Sequence, residues 1–178
     1  MIKFIKLREE HLEQVLNWRT REDVTRYMNT DIDYDMAEQR LWFERVSRLE
    51  TEKYWIISIK GKDVGLISLN DIDYINKRTS WGYYIGEEKE RMYGAVIPLY
   101  LYHYVFMQLK LHKITAEVMS ENKNVIKLNK VHGCRKVGIL YDHVYKNGKF
   151  HDIVLMELLK EDWEKNKRNH QYKTKFEE

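Results

Sequence analysis

Apolar and polar residues alternate at the start of the chain, where Ile2 to Leu7 reads IKFIKL, and a period of two predicts a half-buried strand. The spacing then lengthens. In EEHLEQVLNWR the apolar positions Leu12, Val15, Leu16 and Trp18 recur on one helical face, and DYDMAEQRLWFERVSRL repeats that spacing through Met36, Leu41, Trp42 and Val46, so two amphipathic helices follow the strand. KYWIISIK, VGLISLNDI and RTSWGYYIG are strand-like runs separated by the turn GKD and the polar link DYINK, which predicts an antiparallel meander.

Beyond the meander the longer period returns. Ala95 to Gln108 reads as a helix, KITAEVM as a short strand, and NVIKLNKVHG as a helix closed by Gly133 in the usual C-terminal position. KVGILYDHVY and KFHDIVLMELL flank KNG, and Asn147-Gly148 supplies the positive φ angles that a tight hairpin needs. The expected order is βααβββαβαββ over one domain, residues 1–160. Residues 161–178 are charged with few apolar anchors, which predicts a tail or frayed helix.

Composition narrows the function classes. A chain of 178 residues with 43% hydrophobic and 33% charged residues can bury one core without metal or disulfide staples. The net charge of +3 is spread along the chain, so no nucleic-acid groove is expected. Cys134 is the sole cysteine; a disulfide within the chain and a thiolate metal cluster are excluded, and a reducing, cytoplasmic setting is expected. The N-terminal segment lacks the continuous apolar core of a signal peptide. Ala95 to Leu109 contains Pro98, His103 and Gln108 and is too short to span a bilayer, so no membrane anchor is expected. Among the seven histidines, His143 and His151 straddle the KNG turn without a further carboxylate or thiolate set, and no metal site is expected.

Gly94 stands between the last meander strand and a helix. Unpaired N–H groups at a helix N-terminus bind pyrophosphate, and glycine lets backbone approach the ligand. In that setting RMYGAV resembles the Arg/Gln-x-x-Gly-x-Gly/Ala loop of the GNAT N-acetyltransferases, with Val96 where a small residue is usual. ENKNVIKLNKVHGC, following ITAEV, is similar to a second segment of the same family.

The resemblance implies an α/β (α+β) GNAT acyl-CoA N-acyltransferase fold, with a mixed, mainly antiparallel central sheet flanked by helices. It also implies acetyl-CoA as the acetyl donor. Its pyrophosphate would rest on Arg91, Met92, Tyr93, Gly94, Ala95 and Val96, and its arm would pass Asn122 and Asn124 where the strands splay. Backbone N–H of a bulged fourth strand, near Tyr84, Ile85 and Gly86, would polarise the thioester carbonyl. Asn129 occupies the place where many members carry a tyrosine that protonates the departing thiolate, and an amide has no proton to give at neutral pH.

LNWRTREDVTRYM, LISLNDIDYINKRTSWGYYIG and VYKNGKFHDIVLMELLKEDW look like the RimJ/RimL-type branch. Within it they most resemble the N-acetyltransferases of pseudaminic acid biosynthesis, which acetylate the 4-amino group of a UDP-linked amino-dideoxy sugar. By that resemblance Arg19 and Met28 contact the nucleotide, and Asn29, Ser68, Asn70, Tyr84 and Glu117 belong to the sugar side; Asn29 and Glu38 differ from the residues of close relatives. Glu117, or a water held by Ser68, is the candidate base, with the acid at Asn129 open. Arg19 suits a diphosphate but equally a solvated helix face, while Trp18, Trp42, Phe43 and Trp55 suit the core. Tyr83 and Tyr84 point to opposite strand faces, so only one is expected in the cleft. Other readings are a RimJ/RimL-like acetyltransferase of protein N-termini or small amines, and a non-catalytic acetyl-CoA-binding module. A homodimer is compatible with any of these.

Overall fold

The computed structural model describes residues 1–178. Strand β1 (Ile2–Lys6) leads into helices α1 (Leu12–Arg19), α2 (Glu22–Thr25) and α3 (Met36–Ser47). Strands β2 (Lys53–Ile59), β3 (Lys62–Asp73) and β4 (Arg78–Ile85) form the expected meander. Helix α4 (Ile97–His103), strand β5 (Lys113–Met119), helix α5 (Lys123–Val131), hairpin strands β6 (Arg135–Lys146) and β7 (Lys149–Leu159), and the short α6 (Lys160–Glu164) complete the chain. The sequence pattern locates every strand; α2, a single turn, is too short to show a period.

The strands form one seven-stranded sheet in the order β1-β2-β3-β4-β5-β7-β6. Every pairing is antiparallel except β4 with β5. Turn chemistry sets the hairpins: Lys60 and Gly61 have φ of 54° and 83°, and Asn147 and Gly148 have 51° and 75°, the left-handed pair that matches strand twist. Gly133, at φ 99°, closes α5 as expected.

Alternation along β2 and β3 sends their side chains into two separate cores, and a third, small cluster of Met119, Val144 and Ile153 lies under the β6–β7 hairpin. Trp55, Ile57, Ile67 and Leu69 face α4 and join Tyr102, Val105 and Phe106, whereas Ile56 and Leu66 face the other way and meet Leu12, Val15 and Trp18 of α1. Helix α4 carries Pro98 in its first turn, where the missing N–H costs nothing, and continues as a π-helical turn through Gln108. No helix is long and apolar enough to cross a membrane.

The tail expectation for residues 161–178 is corrected. Phe176 is 2% exposed and stacks on Phe4 with ring centroids 4.2 Å apart, while Trp55 Nε1 donates to the Glu177 carbonyl at 2.8 Å. Trp163 is likewise buried. A few large aromatic side chains bury enough area to dock an otherwise charged segment.

Candidate active site

The site originates where the sheet comes apart. Strand β4 pairs with β5 only from Arg78 to Ser80 against Lys113 to Thr115; beyond that the two part, while β4 stays paired with β3 and β5 with β7. Between their C-terminal ends opens a cleft of about 1120 Å³. Because the gap cuts through the sheet, Tyr83 and Tyr84 both border it, from opposite faces; the expectation that only one would do so assumed an unbroken sheet.

Main chain builds the β4 wall. Gly86 N–H donates to Val64 O at 2.7 Å. By the two-residue alternation of an antiparallel ladder, Gly82 and Tyr84 also turn their N–H toward β3, and Tyr83 and Ile85 turn theirs to the open edge. The register from Gly65↔Ile85 to Asn70↔Ser80 is unbroken, and the bulge expected on β4 comes at its C-terminal end, where two residues stand against Val64 of β3. Val64 O there takes both the Gly86 and Glu87 N–H groups. Gly86 therefore serves packing rather than the cleft, since a Cβ on it would fall 2.3 Å from the Trp18 ring.

The expected pyrophosphate loop, Arg91 to Val96, is a tight 3₁₀ turn leading to α4, with Val96 as its cap residue. Gly94 has room: an added Cβ would meet nothing nearer than the Tyr83 hydroxyl at 3.6 Å. That hydroxyl donates to Gly94 O at 2.9 Å, and His132 Nε2 lies 2.9 Å from Ala95 O. Arg91 forms an ion pair with Asp23, which also pairs with Arg21 at 2.6 Å. The hydrogen bond from Arg21, and then that from Arg91, holds the Asp23 carboxyl down to about 2.

On the β5 side, Asn122 caps α5 by accepting from Val125 N–H and borders the cleft. Asn129 is 1% exposed and also borders it; its Oδ1 has no partner. A buried polar atom without a partner costs free energy unless something meets it. An orphaned amide, unpaired strand edges and a glycine with open space fit an extended thioester arm ending in a pyrophosphate. Met92 and Ala95 are exposed, Tyr93 packs against the larger core, and Asn124 lies on the exposed first turn of α5; none of these side chains lines the cleft.

Side chains build the opposite half. Arg19, at the end of α1, is half-buried, makes no ion pair, and has Met28 Sδ, at 2.6 Å, as its one hydrogen-bond partner. Burial lowers its pKa, offset in part by Tyr84 and Asp31, and a guanidinium stays charged regardless. The Tyr84 hydroxyl is buried without a partner, and burial raises its pKa. Asn29, Trp42 and Glu38 complete this wall, while Phe43 packs behind it.

On the same sheet face Ser68 Oγ donates to Asn70 Oδ1 at 2.9 Å, Asn70 Nδ2 donates to the Tyr54 hydroxyl at 2.9 Å, and Tyr54 donates to Glu52 at 2.8 Å. The chain spends the Ser68 proton and leaves its lone pairs for a donor in the cleft. Asn70 itself stands behind Ser68 and does not line the cleft. Glu117, exposed on β5, borders it from the other side. Tyr54 was missed by sequence reading, although its alternation with Ile56 in KYWIISIK already places it on the α1 face.

The two hairpin histidines lie apart from this cleft. His143 falls in the irregular stretch of β6, and His151 Nδ1 sits 2.8 Å from Glu121 Oε1. Cys134 is buried, its thiol pushed up to about 11 by burial.

Comparison with known proteins agrees with this geometry. The chain is 27% identical over 164 residues to the uncharacterized N-acetyltransferase p20 of Bacillus licheniformis, covering 89% of this chain and 92% of that one. It is 22% identical over 125 residues to the acetyltransferase PseH of Campylobacter jejuni, covering 70% and 77%. The fold matches the Vibrio cholerae spermidine N-acetyltransferase, solved with CoA and spermine, at a TM-score of 0.85 and 20% identity over 91% of this chain and 97% of that one. The acetyltransferase (GNAT) domain profile matches residues 2–135, so the chain belongs to the GNAT acetyltransferase family and is an N-acetyltransferase that uses acetyl-CoA.

Proposed function

We propose that the chain acetylates the 4-amino group of a UDP-linked amino-dideoxy sugar. The observation that carries this reading is Arg19, a half-buried cation that makes no ion pair and has only the more distant Asp31 charge to offset its burial, facing the cleft beside the unpartnered Tyr84 hydroxyl. A buried charge calls for a counter-charge, and a guanidinium pairs with diphosphate in a fixed, two-pronged geometry. Met28 and Trp42 offer an apolar wall for the uracil. The distant likeness to PseH and the residue patterns around NWR and RYM support the same acceptor.

Acetyl-CoA supplies an acetyl group activated as a thioester. Gly94 and the turn before α4 hold its pyrophosphate end, and the unpaired N–H groups of Tyr83 and Ile85 orient and polarise the carbonyl. Asn122 and Asn129 line the arm. Ser68 Oγ accepts from the attacking amine and fixes its direction, Glu117, directly or through a water, takes the proton the amine must lose, and the C–S bond breaks as the amide forms, releasing CoA thiolate that takes its proton from water.

A second reading, a small polyamine acceptor, is favoured by Asp33 and Glu38. Both border the mouth of the same cleft, and neither makes an ion pair. Release of free CoA thiol from acetyl-CoA, measured with a UDP-4-amino-4,6-dideoxy sugar, spermidine and an N-terminal peptide, separates the readings. The proposal expects release with the sugar nucleotide and none with the other two. Release only with spermidine transfers the assignment to the second reading.

A further inference from the structure

The hairpin at the far end of the sheet reaches the acceptor half of the cleft through one buried lysine. Lys146, at the end of β6, is 7% exposed. Its Nζ donates to Thr25 O at 2.7 Å and to Met28 O at 2.9 Å, and lies 2.8 Å from Asp31 Oδ1. An ammonium has three donors, and all are used. That saturation is what allows a charge to stay buried.

All three acceptors fall in one short segment. Residues 25–31 leave α2 and carry Met28 and Asn29 to the cleft, and residues 29–35 have no helix or strand of their own. Thr25 O accepts from Met28 N–H as well, and Met28 Sδ meets Arg19. The position of this wall thus depends on a group 118 to 121 residues away in the chain. The Lys146 backbone is itself fixed: its carbonyl lies 3.2 Å from His151 Nε2, and His151 Nδ1 reaches Glu121, the residue before the Asn122 cap of α5. The β6–β7 tip therefore touches both the acceptor wall and the start of the cofactor wall.

We infer that Lys146 is a positioning residue that sets how closely the Met28 and Asn29 wall approaches the acceptor. Lys146 does not touch the cleft; it acts through the Thr25 and Met28 carbonyls and Asp31. The inference rests on the reading above in which the Arg19 and Met28 half receives the acceptor.

The test is Lys146→Met, which keeps the unbranched apolar stem, one atom shorter, and removes the charge and its three donors. Hydrogen exchange of residues 26–34 is expected to rise by about tenfold with residues 94–96 unchanged, because ordering there rests on the three bonds. With the amine that the wild type acetylates, acceptor KM is expected to rise about tenfold while kcat and acetyl-CoA KM stay within about twofold. Asp31→Asn, which leaves the carbonyl bonds in place, is expected to raise acceptor KM about threefold and carries the test if Lys146→Met does not fold. Unchanged exchange and unchanged acceptor KM, or equal losses for both substrates, would overturn the inference. The exchange measurement needs no acceptor. A wrong acceptor class therefore shows up as a silent wild-type thiol assay, and the exchange of residues 26–34 still decides whether Lys146 holds the wall.

Discussion

Along β4 the edge facing β5 presents main-chain N–H groups to the cleft, whereas across from it α1 and the segment after α2 present the side chains of Arg19, Met28 and Asn29. The two halves answer differently to sequence change. A wall of backbone keeps its donors whatever the side chains are, so on the proposed reading the half that takes acetyl-CoA tolerates side-chain change. A wall of side chains has no such buffer, and on the proposed reading Arg19 sets the charge of what it holds, against Asp33 and Glu38 at the same cleft. Divergence of acceptor within a shared fold belongs in that second half.

Four changes test this division. The largest effect is expected from Arg19→Ala: loss of one charge-assisted pair, about 1.5–3 kcal/mol, lowers acceptor kcat/KM by roughly 10- to 100-fold and leaves acetyl-CoA KM alone. Equal losses on both substrates would erase the division. Gly94→Val is its mirror image. An added Cβ at Gly94 makes only ordinary contact, with the Tyr83 hydroxyl at 3.6 Å, so melting temperature should fall little while acetyl-CoA KM rises about tenfold, because a branched side chain blocks the approach of backbone to pyrophosphate.

Tyr84→Phe sharpens the acceptor half further. Removing a buried hydroxyl that has no partner is expected to stabilise the fold by about 1 kcal/mol while acceptor kcat/KM falls several-fold. A drop in stability would mean that the hydroxyl has a partner in the free protein. The smallest effect is expected from Asp23→Asn, which cuts the tie between α2 and Arg91. The Asp23 carboxyl is held down to about 2, so its contribution is full above the ordinary carboxylate range and is lost as pH falls through about 2. The difference in melting temperature between wild type and variant, small at neutral pH because the pair is exposed, should close near pH 2.

Local chemistry was legible and distant pairing was not. Gly133, Asn147 and Gly148 announced their turns because a positive φ is a property of the residue itself, and β4, Gly94 and α4 follow one another in the chain, so the turn that leads into α4 could be read in order. The bonds from Lys146 to Thr25 and Met28 span 121 and 118 residues, and no periodicity reports them. The docking of Phe176 on Phe4 was hidden for the same reason, since only the sheet brings the two ends of the chain together. Gly86 misled in the other direction: it sits beside the motif, and only the Trp18 ring above it shows that its missing Cβ serves the fold.

Whether the Arg19 half receives a nucleotide is decided by UDP as an inhibitor of acetyl transfer, with acceptor and acetyl-CoA varied in turn. The account predicts inhibition competitive with the acceptor, not competitive with acetyl-CoA, and abolished in Arg19→Ala. Inhibition competitive with acetyl-CoA alone, or none at all, would contradict it.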